Sequence, residues 1–108
     1  MVLRNYTGQE IGLADKDGNP LRVLSPIGRA EVTPPEEVIT AQIDGTQVIR
    51  RRRGIIKYLP AATGNMDDIY IVNKEVAEAG RGTRYDLVVV EDPTTALGGI
   101  FYRKLLNT

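Results

Sequence analysis

The chain has 108 residues, in which 14 Lys and Arg balance 14 Asp and Glu, and it contains no His, Cys or Trp. Without His and Cys, the sequence excludes disulfide frameworks, thiolate and His-carboxylate zinc sites, iron–sulfur clusters, cysteine nucleophiles and Ser-His-Asp relays. A net charge of zero also argues against bulk nucleic-acid binding, which needs a net positive surface to release counterions.

The size and composition predict a single globular domain over residues 1–108. A chain of 11.9 kDa should fold to a surface of about 6,000 Å², which buries roughly two-thirds of the extended chain. No window approaches the roughly 20 apolar residues of a membrane span, and the first residues lack a long apolar signal-peptide core. We therefore expect a cytoplasmic protein without membrane contact.

The first 60 positions predict strands, because short apolar runs alternate with turn residues and no helical period is sustained. Residues 15–20 (Asp-Lys-Asp-Gly-Asn-Pro) predict a hairpin, and Asp44-Gly45 predicts a second hairpin with a type I′ turn. Thr33-Pro34-Pro35 predicts a connection or a sheet edge, and Gly54 a bulge in a long strand. The predicted strands cover residues 2–6, 11–14, 21–24, 29–32, 38–43, 46–53 and 55–59.

After a predicted flexible loop at 61–68, the pattern changes. Residues 69–72 and 87–90 are continuous apolar runs, typical of strands covered on both faces. Asn73 as a cap and Glu75 beside the positive end of the helix dipole predict one short helix over 74–79. Loops at 81–83 and 93–99 and a strand at 100–105 follow. The predicted fold is mostly β (α+β), either a small barrel or a curved antiparallel sheet with one short helix.

Four consecutive arginines, Arg50 to Arg53, form the largest local concentration of charge. Because strand side chains alternate, Arg50 and Arg52 should project from one face and the other two from the opposite face. Two guanidinium groups on a concave face could grip a phosphate bidentately. Alternatively, these arginines are solvated charges that protect a sheet edge from aggregation.

Further candidates for anion binding lie in segments that contain glycine. Arg29, Arg81 and Arg84 are placed where backbone N–H groups can join a side chain on an anion, although Arg84 could instead form an ion pair with Asp86 or a neighbouring carboxylate. Tyr58 and Tyr85 are candidates for stacking on a base, whereas a strand tyrosine more often packs against the core. The predicted ligand-binding residues are Arg29, Arg50, Arg52, Tyr58, Arg84 and Tyr85.

Catalysis is not expected. Adjacent carboxylates in a strand point apart, so Asp67-Asp68, in a predicted loop, is the only pair considered for acid/base or magnesium chemistry. Without His, a general acid or base would need a strongly shifted Asp, Glu, Lys or Tyr. We therefore predict no enzyme, no metal and no cofactor, and an enzyme that cleaves a nucleotide ranks third among the hypotheses.

Five short segments carry a resemblance to a known family. They are Asn5-Tyr6-Thr7-Gly8-Gln9, Pro26-Ile27-Gly28-Arg29-Ala30, Gly54 with Leu59-Pro60, Tyr70-Ile71-Val72-Asn73 and Arg84-Tyr85-Asp86-Leu87. In order and spacing they resemble Asn-Leu-Thr-Pro-His, a Pro-x-Gly-x-x-Ala-like segment, Gly with Leu-Pro, Tyr-Ile-Val-Ser and Arg-x-Asp-Leu. These occur in small proteins of unassigned function encoded by bacteriophages and prophages. The first segment lacks the family's Pro and His.

The resemblance implies a phage protein acting in the host cytoplasm, and two functions fit this setting. The first is a binding protein that sequesters a small anionic ligand, such as a nucleotide immune signal, through Arg-rich sites at the interface of a homo-oligomer. The second is a virion structural protein, either a capsid cement or decoration protein or a head–tail adaptor, whose arginines pair with acidic capsid surfaces. The clustering of Arg with Gly and the expected lack of long arms favour the first.

Overall fold

The computed structural model describes residues 2–62, 64 and 67–107, and over these residues it contains ten strands and one short helix. The predicted β-rich barrel with a single helix is confirmed. In chain order the elements are β1 Val2–Asn5, β2 Ile11–Ala14, β3 Pro20–Leu24, β4 Glu31–Val32, β5 Glu36–Ile43, β6 Thr46–Arg52, β7 Ile56–Lys57, β8 Asp68–Ile71, α1 Lys74–Ala79, β9 Leu87–Ala96 and β10 Gly99–Asn107.

Six strands form one mixed sheet in the order β1-β8-β9-β10-β2-β3. Strands β1, β8 and β9 run parallel to one another, and β10 is antiparallel to β9 and parallel to β2. Parallel neighbours cannot be joined by a tight turn, and the predicted helix α1 supplies the crossover between β8 and β9. The remaining strands form two separate pairs, β4 with β7 and β5 with β6.

Asn5 links the two edge strands of this sheet and brings the barrel close to closure. Its amide donates to the carbonyl of Leu24 at the end of β3, at 3.0 Å, and to the carbonyl of Gln9, at 2.7 Å. Its Oδ1 accepts from the backbone N–H and the hydroxyl of Thr7, at 3.0 and 2.6 Å. The backbone N–H of Ile27, beyond β3, donates to the Asn5 carbonyl at 2.8 Å.

Both faces of β8 are buried, as its continuous apolar run predicted. Helix α1 covers one face, where Tyr70 packs edge-on against Tyr6 with ring centroids 5.5 Å apart. Burial raises the pKa of the Tyr70 hydroxyl. The core on the α1 face consists of Ala30, Tyr70, Val72, Val76, Ala77 and Leu87, and that on the other face of Ile69, Ile71 and Val88.

Nowhere in the described ranges is a helix long and apolar enough to cross a membrane.

The predicted hairpin at residues 15–20 is confirmed as the connection between β2 and β3. The Asp15 carboxylate accepts hydrogen bonds from the backbone N–H groups of Asp17 and Asn19, each at 2.9 Å. The hydrogen bond from the Asn19 backbone is the largest cause that lowers the pKa of Asp15. Such side-chain to backbone bonds are the reason why Asp and Asn favour turns.

The second predicted hairpin, β5–β6, stands away from the sheet, and we call residues 36–52 the arm. Asp44 and Gly45 connect its strands with φ values of 51° and 82°, which confirms a type I′ turn. The two strands pack almost only against each other. The molecule is elongated as a result, with extents of 63 × 29 × 21 Å and a radius of gyration of 17.7 Å, against about 13 Å for a compact chain of this length. The expectation that the fold lacks a long arm was therefore wrong.

The predicted loop at 93–99 was also wrong, because β9 continues through Pro93 to Ala96 and only Leu97 and Gly98 form the turn. The register explains why proline is tolerated there. Strand β8 pairs with β9 only at Leu87 and Val88, so the rest of β9 has a free edge. Proline is compatible with an edge strand, where its missing N–H leaves no partner unsatisfied.

Gly54 does not form the predicted bulge. Strand β6 ends at Arg52, and a Cβ at position 54 would collide with the carbonyl oxygen of Thr33, so glycine is needed for a close approach of two backbones. Two hydrogen bonds join Thr33 to Ile55, the residue after Gly54. The Thr33 N–H donates to the Ile55 carbonyl, and the Thr33 hydroxyl accepts a hydrogen bond from the Ile55 N–H. Glycine therefore allows the base of the arm to cross close to the β4 end.

Candidate functional site

Arg50 and Arg52 lie on β6 of the arm and are exposed. In the part of the chain that the structure describes, neither guanidinium has a hydrogen-bond or ion-pair partner. Because they are two residues apart in β6, they lie on the same face of the arm, as strand alternation predicted. Arg51 lies on the other face, where its Nε is 3.4 Å from Glu37 Oε1 in an exposed ion pair. Arg53 follows the strand and donates to the Arg81 carbonyl at 2.7 Å.

Arg84 has a different environment, in which its guanidinium is already engaged. Its Nε and Nη2 donate to the two carboxylate oxygens of Asp86, each at 2.9 Å, and the Asp86 side chain is 4% exposed. The Arg84 guanidinium also lies 5.8 Å from the centroid of the Tyr70 ring. The ion pair considered from the sequence is confirmed, and it links the loop after α1 to the core.

The remaining three predicted residues lie at separate places on the surface. The side chain of Arg29 packs along Gly8, and its backbone forms an isolated antiparallel β-bridge with Thr7. Tyr58 is 71% exposed, with a φ of 63°, after β7. Tyr85 is 65% exposed, and its hydroxyl donates to the Gly82 carbonyl at 3.3 Å.

The structure therefore does not bring the six predicted residues into one site within a protomer. Of four clefts formed by described residues, one is lined by Arg29, and no two of the six line the same cleft. Arg50 with Arg52 and Arg84 with Tyr85 remain close only because they are near in sequence. An anion site built from all of them would need more than one copy of the chain.

Asp67-Asp68, the carboxylate pair considered for chemistry, is not confined to a loop. Asp68 is the first residue of β8, and its Oδ1 accepts a hydrogen bond from Arg4 Nε at 3.0 Å, which raises the pKa of Arg4. Of the predicted loop at 61–68, residues 63, 65 and 66 lie outside the described residues. Among the described residues, no three acidic side chains are grouped closely enough to hold a metal ion.

A cleft of about 350 Å³ that was not predicted from the sequence opens where the parallel strands β1 and β8 end. We call it the polar cleft because four charged side chains line it, together with apolar ones such as Val72 and Val89. Ligands commonly bind at the carboxyl ends of parallel strands, because the loops that follow them supply polar groups. The i, i+4 spacing of Lys74 and Glu78 was a local signal that both line one face of α1, but the other contributors are distant in sequence. The charged residues of the cleft are Lys74, Glu78, Arg81 and Glu91.

A second cleft, of about 550 Å³, lies between α1 and the base of the arm. Pro34 and Pro35, at the start of the arm, and Ala79 on the helix give it apolar walls. Glu78 and Arg81 line this cleft as well as the polar one. The base of the arm is therefore next to two adjoining clefts.

The arm exposes apolar side chains on both of its faces. Ile39 and Ile49 are directly opposite each other on one face and are 55% and 43% exposed. The register places Ile43 and Val48 on the other face, 63% and 40% exposed, near the turn. Natural proteins rarely leave a contiguous apolar surface uncovered, so an apolar arm of this kind is typical of an interaction surface.

Comparison of the chain with protein-family models, with curated proteins and with solved structures found no match. Function is therefore inferred from the arm, the clefts and the ion pairs described above.

Proposed function

We propose that the protein is a structural subunit of a larger assembly and that the arm is the part that docks. The resemblance to phage proteins suggests that this assembly is a virion, with the chain as a capsid decoration protein or a head–tail adaptor. The observation that carries the proposal is a 17-residue hairpin, residues 36–52, that has hardly any packing against its own sheet. A two-stranded hairpin is marginally stable alone in water, so a partner that covers it supplies the missing burial.

The accessible surface supports the same conclusion. One copy exposes 7,414 Å², about 1,400 Å² more than the roughly 6,000 Å² expected for a compact protein of this mass. A standard interface covers about 800 Å² on each partner. The excess is large enough for the arm and adjoining surface to form one such interface.

The charges of the arm fit docking better than capture of a small ligand. A phosphate site needs guanidinium groups that converge in a concave place with water excluded, whereas Arg50 and Arg52 lie on an exposed strand and line none of the four clefts described above. Exposed arginines of this kind are suited to acidic groups of another protein. We therefore favour the structural function, and we propose no catalytic activity.

The arm proposal predicts that Ile39→Ser with Ile49→Ser abolishes incorporation without unfolding the body. Wild-type chain should be found by mass spectrometry in particles purified from the phage that encodes it, at a copy number comparable to capsomers. The double variant should be reduced at least tenfold in the particles, with a melting temperature within about 3 °C of wild type. Matched controls are Leu21→Ser and Leu97→Ser, which remove exposed apolar side chains outside the arm. Absence of wild-type chain from particles, or equal incorporation of the arm variant, would contradict the proposal.

A second candidate function, which we rank below the first, is binding of a small anionic ligand in the polar cleft. Lys74 and Arg81 line this cleft with Asn73 and Tyr102, which combine cations with neutral hydrogen-bonding groups. Glu78 and Glu91 line it too and oppose an anion, so this function ranks second.

If the cleft binds an anionic nucleotide, Lys74→Ala with Arg81→Ala should weaken binding at least tenfold. Titration calorimetry with cyclic dinucleotides and with ADP-ribose is the measurement. Lys16→Ala with Arg22→Ala removes the same charge from the β2–β3 hairpin and should leave binding unchanged. Absence of heat from every nucleotide with the wild-type chain would eliminate this candidate.

A further inference from the structure

The two strands of the arm carry opposite charges. Strand β5 contains Glu36 and Glu37 and no basic residue, whereas β6 contains Arg50, Arg51 and Arg52 and no acidic residue. Charges of both signs are normally interspersed on a soluble surface, so a strand of each sign side by side is an uneven arrangement. The base of the arm, where both charged segments lie, consequently has an acidic side and a basic side.

Both long edges of the arm have unpaired backbone groups. Strands β5 and β6 bond to each other, and no other described strand pairs with either of them. Each outer edge therefore presents a row of N–H and C=O groups ready to accept another strand. Pairing within one arm engages few of these charges in ion pairs. Arg50 is opposite Val38, and Arg52 is opposite Glu36 without an ion pair between the described side chains. The Arg51–Glu37 ion pair is solvated, with 76% and 56% of the side chains exposed.

We propose that β6 of one copy pairs antiparallel with β5 of a second copy, so that the arms of successive copies form one continuous sheet. This inference rests on the proposed structural function and names the first partner of the arm as another copy of the chain. Charge favours this pairing, because the charged residues of both strands lie at the base of the arm. Antiparallel pairing of β6 with β5 in the register of the arm places arginines beside glutamates. Antiparallel pairing of β6 with β6, or of β5 with β5, places the charged end of one strand beside the uncharged end of the other.

The pairing uses different surfaces on the two copies, because each copy offers its β6 edge and accepts on its β5 edge. Such a head-to-tail interface does not stop at a dimer. It closes into a ring of three or more copies if the rotation between neighbours permits, and otherwise it continues as a filament. In a ring all arm edges are paired, and the apolar pair Ile39 and Ile49 is repeated around one face.

The test uses two half-swapped variants. Glu36→Arg with Glu37→Arg makes both strands of the arm basic, and Arg51→Glu with Arg52→Glu makes both acidic. By light scattering, wild type should form species of three or more copies. Each half-swapped variant alone should be monomeric, and an equimolar mixture should regain the large species, because basic strands then meet acidic strands of the other variant.

Two controls separate contact between copies from folding of the arm. A chain with all four substitutions restores complementary strands and should assemble alone, even if the half-swapped arms do not fold. Independently, Gln42→Cys and Gln47→Cys leave the charges unchanged and add the only thiols, since the chain contains no Cys. These two residues lie opposite each other in the arm, so mild oxidation should join a mixture of the two variants through a disulfide. Neither variant alone should be joined, because equivalent residues of neighbouring copies are two strands, about 9.6 Å, apart and a disulfide needs Cα atoms within about 7 Å.

A wild-type chain that is monomeric, or that stops at a dimer, would overturn the inference. Cross-links that form as readily in either cysteine variant alone as in the mixture of the two would overturn it as well. The same result would leave the proposed function intact if the chain is nevertheless found in particles through its arm. Conversely, a chain that assembles as expected but never enters a particle would support arm pairing and contradict the virion function.

Discussion

Replacement of Asn5 by Leu is expected to lower the free energy of unfolding by about 4 kcal/mol and the melting temperature by roughly 15–30 °C. Asn5 is 1% exposed, and its side chain satisfies the carbonyls of Gln9 and Leu24 and both donors of Thr7. A leucine removes the partner of the Leu24 carbonyl and of the Thr7 N–H, whereas the Thr7 hydroxyl can still donate to the Gln9 carbonyl, at 3.0 Å. Each unpaired buried group costs about 1–3 kcal/mol. Because the substitution also cuts the link between β1 and β3, exchange of the Ile27 amide with solvent should speed up.

The measurements are urea denaturation and amide hydrogen exchange, with Asn107→Leu as the control. Asn107 is exposed and makes one side-chain bond, to the Tyr85 carbonyl at 3.1 Å, so its replacement should cost less than about 1 kcal/mol. Equal stabilities of the two variants would show that the Asn5 network does not hold the barrel edges together.

Replacement of Asp86 by Ala is expected to lower the free energy of unfolding by about 3–5 kcal/mol. The substitution leaves the Arg84 guanidinium, whose side chain is only 16% exposed, without its carboxylate partner. The double variant Arg84→Met with Asp86→Leu should lose less than the sum of the single changes, since no charge is then left buried and unpaired. Denaturant titration of Arg84→Met, of Asp86→Leu and of the double variant gives the coupling energy.

The same measurement bears on the predicted role of Arg84 in ligand binding. A free binding arginine could be changed to Ala with little effect on melting temperature, whereas an arginine committed to Asp86 and packed over Tyr70 could not. Arg4→Ala is the control, because the Arg4–Asp68 pair has side chains 41% and 22% exposed and should contribute about 1 kcal/mol or less. If Arg84→Ala proves as mild as Arg4→Ala, the ion pair is not structural.

The local elements could be predicted from the sequence, because they depend on residues close together in the chain. Asp15 and Asn19 form their turn through bonds that span four residues, and Asp44-Gly45 adopts positive φ values that only a few residue types tolerate. The helix over Lys74–Ala79 and the buried strands on either side of it follow equally from short patterns.

Tertiary structure alone decided what those elements pack against. An alternating strand pattern is the same whether its partner is a core or solvent, so the β5–β6 hairpin could not be recognised as an arm. Pro93 lies within a strand because β8 ends early, and the polar cleft joins α1 to strand ends far away in the chain. Pairings such as Asn5 with Leu24 and Arg4 with Asp68 depend on distance in space, which local conformational preference does not encode.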